Sequence, residues 1–188
     1  MSTTNSLASW LELETQVRAR MEAGAGAGVA RPDQVADKTG LQIMQAMMQG
    51  DLPYPPIAKT LDFTIIEVGE GHSVFQGTPG PTHLNPLGTI HGGWYATLLD
   101  SALGCAVHTM LPVGRGYTTA ELSVNLVKAI NPAKAVRVRA EGKVIHCGRQ
   151  LATAEARLYG PDGTLYAHGT TTCLVFDMHH KPAGGATT

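Results

Sequence analysis

The sequence predicts an α+β domain in which an antiparallel β-sheet wraps around one long, buried helix. Three observations predict it. Residues 91–110 form an apolar run of helical length whose only acidic side chain is Asp100. Two strand-like segments precede that run, and four consecutive strand-like segments follow it. Apolar residues make up 43% of the 188, enough for one domain with a sizeable core.

The elements follow in order. Residues 6–22 read as a helix, with Leu7, Trp10, Leu11, Leu13 and Val17 grouped loosely on one side. Residues 23–29 alternate Ala and Gly and read as a flexible joint. Leu41, Met44, Met47 and Met48 recur at helical spacing until Gly50 and the prolines at 53–56 stop the pattern. Residues 1–50 are therefore expected as an N-terminal helical extension, 51–177 as the main domain and 178–188 as a loose tail. Within the domain, residues 61–68 and 73–77 read as strands split by Gly69-Glu70-Gly71. The long helix closes at Pro112 and Gly114. Strands are then expected at 117–130, 135–146, 151–159 and 165–176. They are joined by Asn131-Pro132, Cys147-Gly148-Arg149 and the hairpin signal Gly160-Pro161-Asp162-Gly163. Val136, Val138, Ala140 and Val144 interleave with charged residues, the pattern of a half-buried antiparallel strand.

Composition narrows the function. The formal net charge is −1 and no basic run occurs, which argues against nucleic acid as a partner. Nowhere do about 18 apolar residues run together, so no membrane span is expected. No secretory signal is evident, and Cys105, Cys147 and Cys173 form no CxxC pair, so a reduced, cytoplasmic setting is expected. Charged residues are only 15%, which leans towards a homo-oligomer. His83, His108, His146 and His168 are isolated, and His179 and His180 sit in the tail. No metal-ligand spacing appears, so no metal is expected. The absence of Gly-x-Ser-x-Gly argues against an α/β-hydrolase, and Cys105 reads as core rather than nucleophile.

The chemistry concentrates between Asn85 and Asp100. A Gly-rich turn runs into a helix start, where unpaired amides and the helix dipole can hold a developing negative charge. A carboxylate in apolar surroundings can position or deprotonate water. Gly93, Thr97, Asp100, Ser101, Gly104 and His108 form a small, polar stripe that either faces water or leaves a crevice. Two glycines at a helix start each cost roughly 1 kcal/mol against Ala; they are best tolerated where a ligand comes close, which favours the crevice. Gly92 and Asp100 are eight residues apart, about 12 Å at 1.5 Å per residue. One carbonyl carbon cannot lie about 3 Å from both. If both act on one substrate, they come from two copies of the chain related by a two-fold axis.

The pattern Asn85-x-x-Gly88-x-x-His91-Gly92-Gly93, with Asp100 seven residues on, resembles the PaaI-like branch of the hotdog-fold acyl-CoA thioesterases. The similarity covers roughly residues 41–176 and includes the lead-in at 55–58, Gly148-Arg149 and Asp162-Gly163. It implies the hotdog fold and hydrolysis of acyl-CoA to free acid and CoA. No covalent Ser or Cys intermediate is implied, nor any cofactor, coenzyme A being part of the substrate. By the same resemblance, the Gly92 N–H polarises the thioester carbonyl, helped by Asn85. Asp100 of the partner subunit activates water or attacks directly. His91 shapes the turn or contacts the thioester. Thr119 assists the carboxylate, with Thr118 the alternative. Apart from the resemblance, Gly93, Trp94, Thr118 and Arg149 are the candidate substrate contacts. Arg115, Lys128 and Arg149 are the cations considered for the CoA phosphates. Trp94 and Tyr95 either line the acyl pocket or pack the helix; Met44, Met47 and Met48 read as packing that could also cap such a pocket. A medium-chain or aromatic acyl group is expected. The resemblance requires a dimer and leaves a tetramer open.

Two alternatives remain. A hydratase or dehydratase needs a His–carboxylate pair over an alkene, and His91 and Asp100 are nine residues apart on one helix. A non-catalytic acyl-CoA sensor would be expected to carry a DNA-binding module, and residues 1–50 show no basic recognition helix.

Overall fold

The computed structural model describes residues 3–134 and 136–178. Helix α1 (Thr3–Ala23) buries Trp10, Glu14, Val17 and Met21, spaced four, three and four residues apart along one stripe. Leu11, expected on that stripe, is 39% exposed, and Glu14 and Met21 take part instead. The short α2 (Pro32–Val35) leads to α3 (Gly40–Gln49). Thr39 caps α3 by accepting the Gln42 N–H, and Gly50 ends it at φ +86°. Helix α4 (Pro56–Thr60) completes the N-terminal part.

The Ala/Gly segment differs from the expected flexible joint. Ala25 N–H donates to the Gly50 carbonyl at 2.8 Å, Gly28 N–H to the Tyr54 carbonyl at 2.8 Å, and Tyr54 N–H returns to Gly26 at 3.0 Å. A side chain at position 24 would collide with the Gly50 carbonyl. These glycines let two backbones touch rather than supplying slack.

Strands β1 (Phe63–Gly69) and β2 (His72–Gly77) form a hairpin. Helix α5 (Gly92–Thr109) follows, then β3 (Arg115–Leu126), β4 (Val138–Cys147), β5 (Leu151–Tyr159) and β6 (Leu165–Asp177). They make one antiparallel sheet in the order β1-β2-β4-β5-β6-β3. This is the α+β architecture expected, with α5 as the central helix. Strand β3 stops at Leu126 rather than at 130, because the following amides are diverted. Val127 and Lys128 N–H both donate to the Tyr166 carbonyl, and Ile130 N–H donates to the Tyr95 hydroxyl at 2.8 Å. Strand β4 opens at 138 rather than 135. Of the expected tail only Met178 is described; His179 and His180 lie outside the described residues. Among the described residues no helix is long and apolar enough to cross a membrane.

Leu98, Leu99, Ala102, Leu103, Ala106 and Val107 of α5 are fully buried against Val138, Ala140, Ala152, Ala154 and Leu158 of the sheet. The small residues bring helix and sheet close. The Ser73 hydroxyl donates to the Ala102 carbonyl at 2.7 Å, and a side chain at Gly142 would strike that same carbonyl. The depth and rotation of α5 are set there, and with them the directions of Gly92 and Asp100.

Helix α1 is held by a buried polar network. The Glu14 carboxylate accepts from Arg18 Nε at 2.8 Å, from Arg137 at 2.9 Å and from the Gln76 amide. Gln76 Oε1 accepts from Arg139 Nε at 2.7 Å, and the Arg139 guanidinium lies 4.2 Å from the Trp10 ring centre. Removing the anion would strand these donors. Glu14→Ala is expected to cost about 3 kcal/mol, the low end for a broken buried pair because Arg18 and Arg137 keep some solvent contact. Urea unfolding measures it; a loss under about 1 kcal/mol would show that α1 does not depend on the network.

Candidate active site

Asp100 lies in the third turn of α5, half-buried. Its Oδ1 accepts the Thr119 hydroxyl at 3.0 Å. Alternation along β3 turns Tyr117 and Thr119 towards α5 and Thr118 to the opposite face. Thr119 is therefore the threonine that meets the carboxylate. It sits beside the β3 bulge between Thr119 and Glu121, and bulges commonly re-aim side chains near sites.

Behind Asp100 opens a cavity of about 210 Å³. Asp100, Ser101 and Thr119 supply polar groups, while Met44, Met47, Phe63, Ile65, Phe75 and Tyr117 supply apolar walls. The polar stripe of α5 thus divides. Its upper part is a crevice. Lower down, Gly104 leaves room for Tyr117, whose hydroxyl would be 2.8 Å from an added Cβ. The His108 ring sits 5.4 Å from that of Tyr117, and burial pushes the His108 pKa down. That half of the stripe is packing. Cys105 also lines the cavity, and burial pushes its thiol up to about 12. It carries no thiolate near neutral pH and is a poor nucleophile.

The other predicted residues gather at the N-terminus of α5. His91 is the N-cap, and its Nδ1 accepts the Gly93 N–H at 2.9 Å. The Trp94 N–H donates to the His91 carbonyl at 3.0 Å. Among the described residues the Gly92 N–H meets no acceptor. Asn85 organises the preceding loop: its Oδ1 accepts the Leu87 and Thr89 N–H groups at 3.0 and 3.1 Å, and its amide donates to the Thr89 hydroxyl at 2.8 Å. One of its two amide hydrogens is left over. Trp94 is buried, donating Nε1–H to the Leu61 carbonyl at 2.9 Å. Its edge, with His91, Gly93 and Thr97, lines a shallow cleft of about 350 Å³. His83 has no motif to mark it, yet its carbonyl accepts the His91 N–H at 2.8 Å and its ring sits 6.1 Å from Trp94.

One chain therefore joins Asp100, Thr119 and the cavity, and separately joins Asn85, His91, Gly92, Gly93 and Trp94. Eight residues of helix, about 12 Å, separate the two groups. Arg149 belongs to neither: it lies exposed in the β4–β5 turn, where its carbonyl accepts from Arg115. That is the Arg115 end of β3, whereas Gly92 faces Leu126 at the other end. Arg115 is paired with Asp177 at 3.1 Å. Among the described residues no group of three His, Cys, Asp or Glu side chains could hold a metal ion.

Residues 87–167 match the family model described as the Thioesterase superfamily. A Halobacterium salinarum protein whose name includes the word esterase is 34% identical over 87 residues, 46% of this chain and 56% of that protein. The chain thus spans about half the length of that curated relative. A phenylacetic acid degradation-related protein of Ralstonia eutropha JMP134 superposes with a TM-score of 0.63 at 26% identity, over 70% of this chain and 98% of its own. A mutant of the phenylacetic acid degradation protein PaaI from Thermus thermophilus superposes with a TM-score of 0.57 at 25% identity, over 63% of this chain and 97% of its own. Over residues 87–167 the chain is similar to the Thioesterase superfamily, and it shares the hotdog fold of structural neighbours that include PaaI-type proteins.

Proposed function

We propose that this chain hydrolyses acyl-CoA thioesters as a homodimer, each site using Asp100 of one copy and the Gly92 N–H of the other. The carrying observation is the Asp100–Thr119 pair at an apolar cavity. Thr119 occupies Oδ1 at 3.0 Å, which holds the carboxylate still. Among the described residues Oδ2 has no hydrogen-bond partner and can take a proton from water. The water oxygen adds to the thioester carbonyl, and the oxyanion forms against the Gly92 N–H. The C–S bond then breaks, the thiolate takes the proton and the acid leaves. A positioned base contributes about 10²–10⁴ in rate and one oxyanion donor about 10²–10³. His91 fixes the turn that aims Gly92, and Asn85 shapes the loop with one amide hydrogen to spare for the carbonyl.

The dimer rests on two supports. Asp100 and Gly92 are too far apart within one chain to act together. Strand β3 is also an edge strand of 12 residues with mostly exposed side chains, and such an edge is a template for pairing. Antiparallel pairing of two β3 strands about a two-fold axis carries the Leu126 end of one copy, with its Gly92, towards the Asp100 region of the other. Arg149 and Lys128, near opposite ends of β3 within one copy, are likewise brought together as candidate CoA phosphate contacts. The free cysteines suit a reducing, cytoplasmic setting, and the reaction calls for no cofactor. Thiol release from a panel of acyl-CoAs tests the reading, with turnover expected. Binding without turnover would favour a sensor, and no binding would overturn both.

A further inference from the structure

We propose that the N-terminal extension forms the specificity wall of the acyl pocket, restricting the substrate to neutral, apolar acyl groups about the size of one ring. This rests on the thioesterase reading above. The cavity behind Asp100 is bounded on one side by β1 and β2 and on the other by Met21 of α1 and by Met44 and Met47 of α3. The segment 54–58 closes the gap between them.

Three features set what it accepts. Its volume, about 210 Å³, exceeds the roughly 150 Å³ of a dry engineered cavity that holds benzene, but not by the length of a long chain. Among the described residues Asp100 is the one formally charged side chain lining it. A second carboxylate on the acyl group would meet an anion and no cation, at the cost of desolvation. The floor is held in place: Met44 is 2% exposed, and α1 is tied down by the Glu14 network. Methionine side chains adapt to irregular shapes, so the wall suits an aromatic ring or a folded aliphatic chain of similar bulk.

The test is thiol release by the full chain from acetyl-, butyryl-, hexanoyl-, palmitoyl-, phenylacetyl- and succinyl-CoA, with Met44→Trp and Met47→Trp as cavity-filling variants. Wild type is expected to prefer phenylacetyl- or hexanoyl-CoA, and to use succinyl-CoA at least about tenfold less well than butyryl-CoA. A bulky insertion should lower kcat/KM for phenylacetyl-CoA at least about tenfold, the scale of steric discrimination in apolar pockets. Acetyl-CoA turnover should fall by several-fold less than phenylacetyl-CoA turnover in the same variant. Met47 is only partly buried, so Met47→Trp carries the test if Met44→Trp fails to fold. Equal losses on all substrates, or an unchanged profile in the folded variants, would overturn the inference while the thioesterase reading stands. A wild-type chain that hydrolyses no thioester would overturn that reading and this one with it.

Discussion

Asp100→Asn is expected to lower kcat at least about a hundredfold while leaving the melting curve and KM close to wild type. The substitution is nearly isosteric. Asn Oδ1 still accepts the Thr119 hydroxyl that Asp100 takes at 3.0 Å, and the cavity keeps its shape. What disappears is the basic oxygen that withdraws a proton from water. A loss in kcat without a loss in KM is the signature of an interaction used in the transition state. Turnover within a few-fold of wild type would remove Asp100 from the chemistry.

Gly92→Pro is expected to cost about 10²–10³ in kcat. Proline deletes the N–H and puts its ring Cδ on the nitrogen instead. Gly92 is the first residue of α5, where proline is well tolerated. The preceding His91 sits at φ −61°, ψ 134°, the extended conformation a following proline demands. An added Cβ meets only Leu126 Cδ1 at 3.4 Å, an ordinary contact. Gly92→Ala is the control: it adds the Cβ but retains the N–H, and its rate should stay within about threefold of wild type. Equal rates in the two variants would show that this amide holds no oxyanion.

The difference between what could and could not be read from sequence follows from range. Helix α5 stood out because one apolar run lies between a Gly-Gly start and a Pro stop. Strand β5 was bounded by turns that end it locally. The end of β3 was not readable, since residues 127–130 look like strand and only Tyr166 and Tyr95 divert their amides. The burial of Glu14 was equally hidden, because its partner Arg137 is 123 residues away. The Ala/Gly segment misled for a related reason: glycine signals permissive backbone, and the use made of it here depends on Gly50 and Tyr54. In the site, the motif marks Gly92 and Asp100, while the resemblance leaves Thr119 and Thr118 as alternatives. The cavity walls carry no motif; Met21, Met44, Phe63 and Tyr117 come from four elements and meet only in the fold.

A mixed dimer tests the central claim most directly. One copy carries Gly92→Pro and the other Asp100→Asn, with different tags so that the heterodimer can be purified, and thiol release is compared with both mutant homodimers. If each site takes Gly92 from one copy and Asp100 from the other, one of the two sites regains both groups and the other loses both. The heterodimer should then recover about half the wild-type rate, far above either homodimer. A heterodimer as slow as its parents would place both groups in the same copy and contradict the shared site.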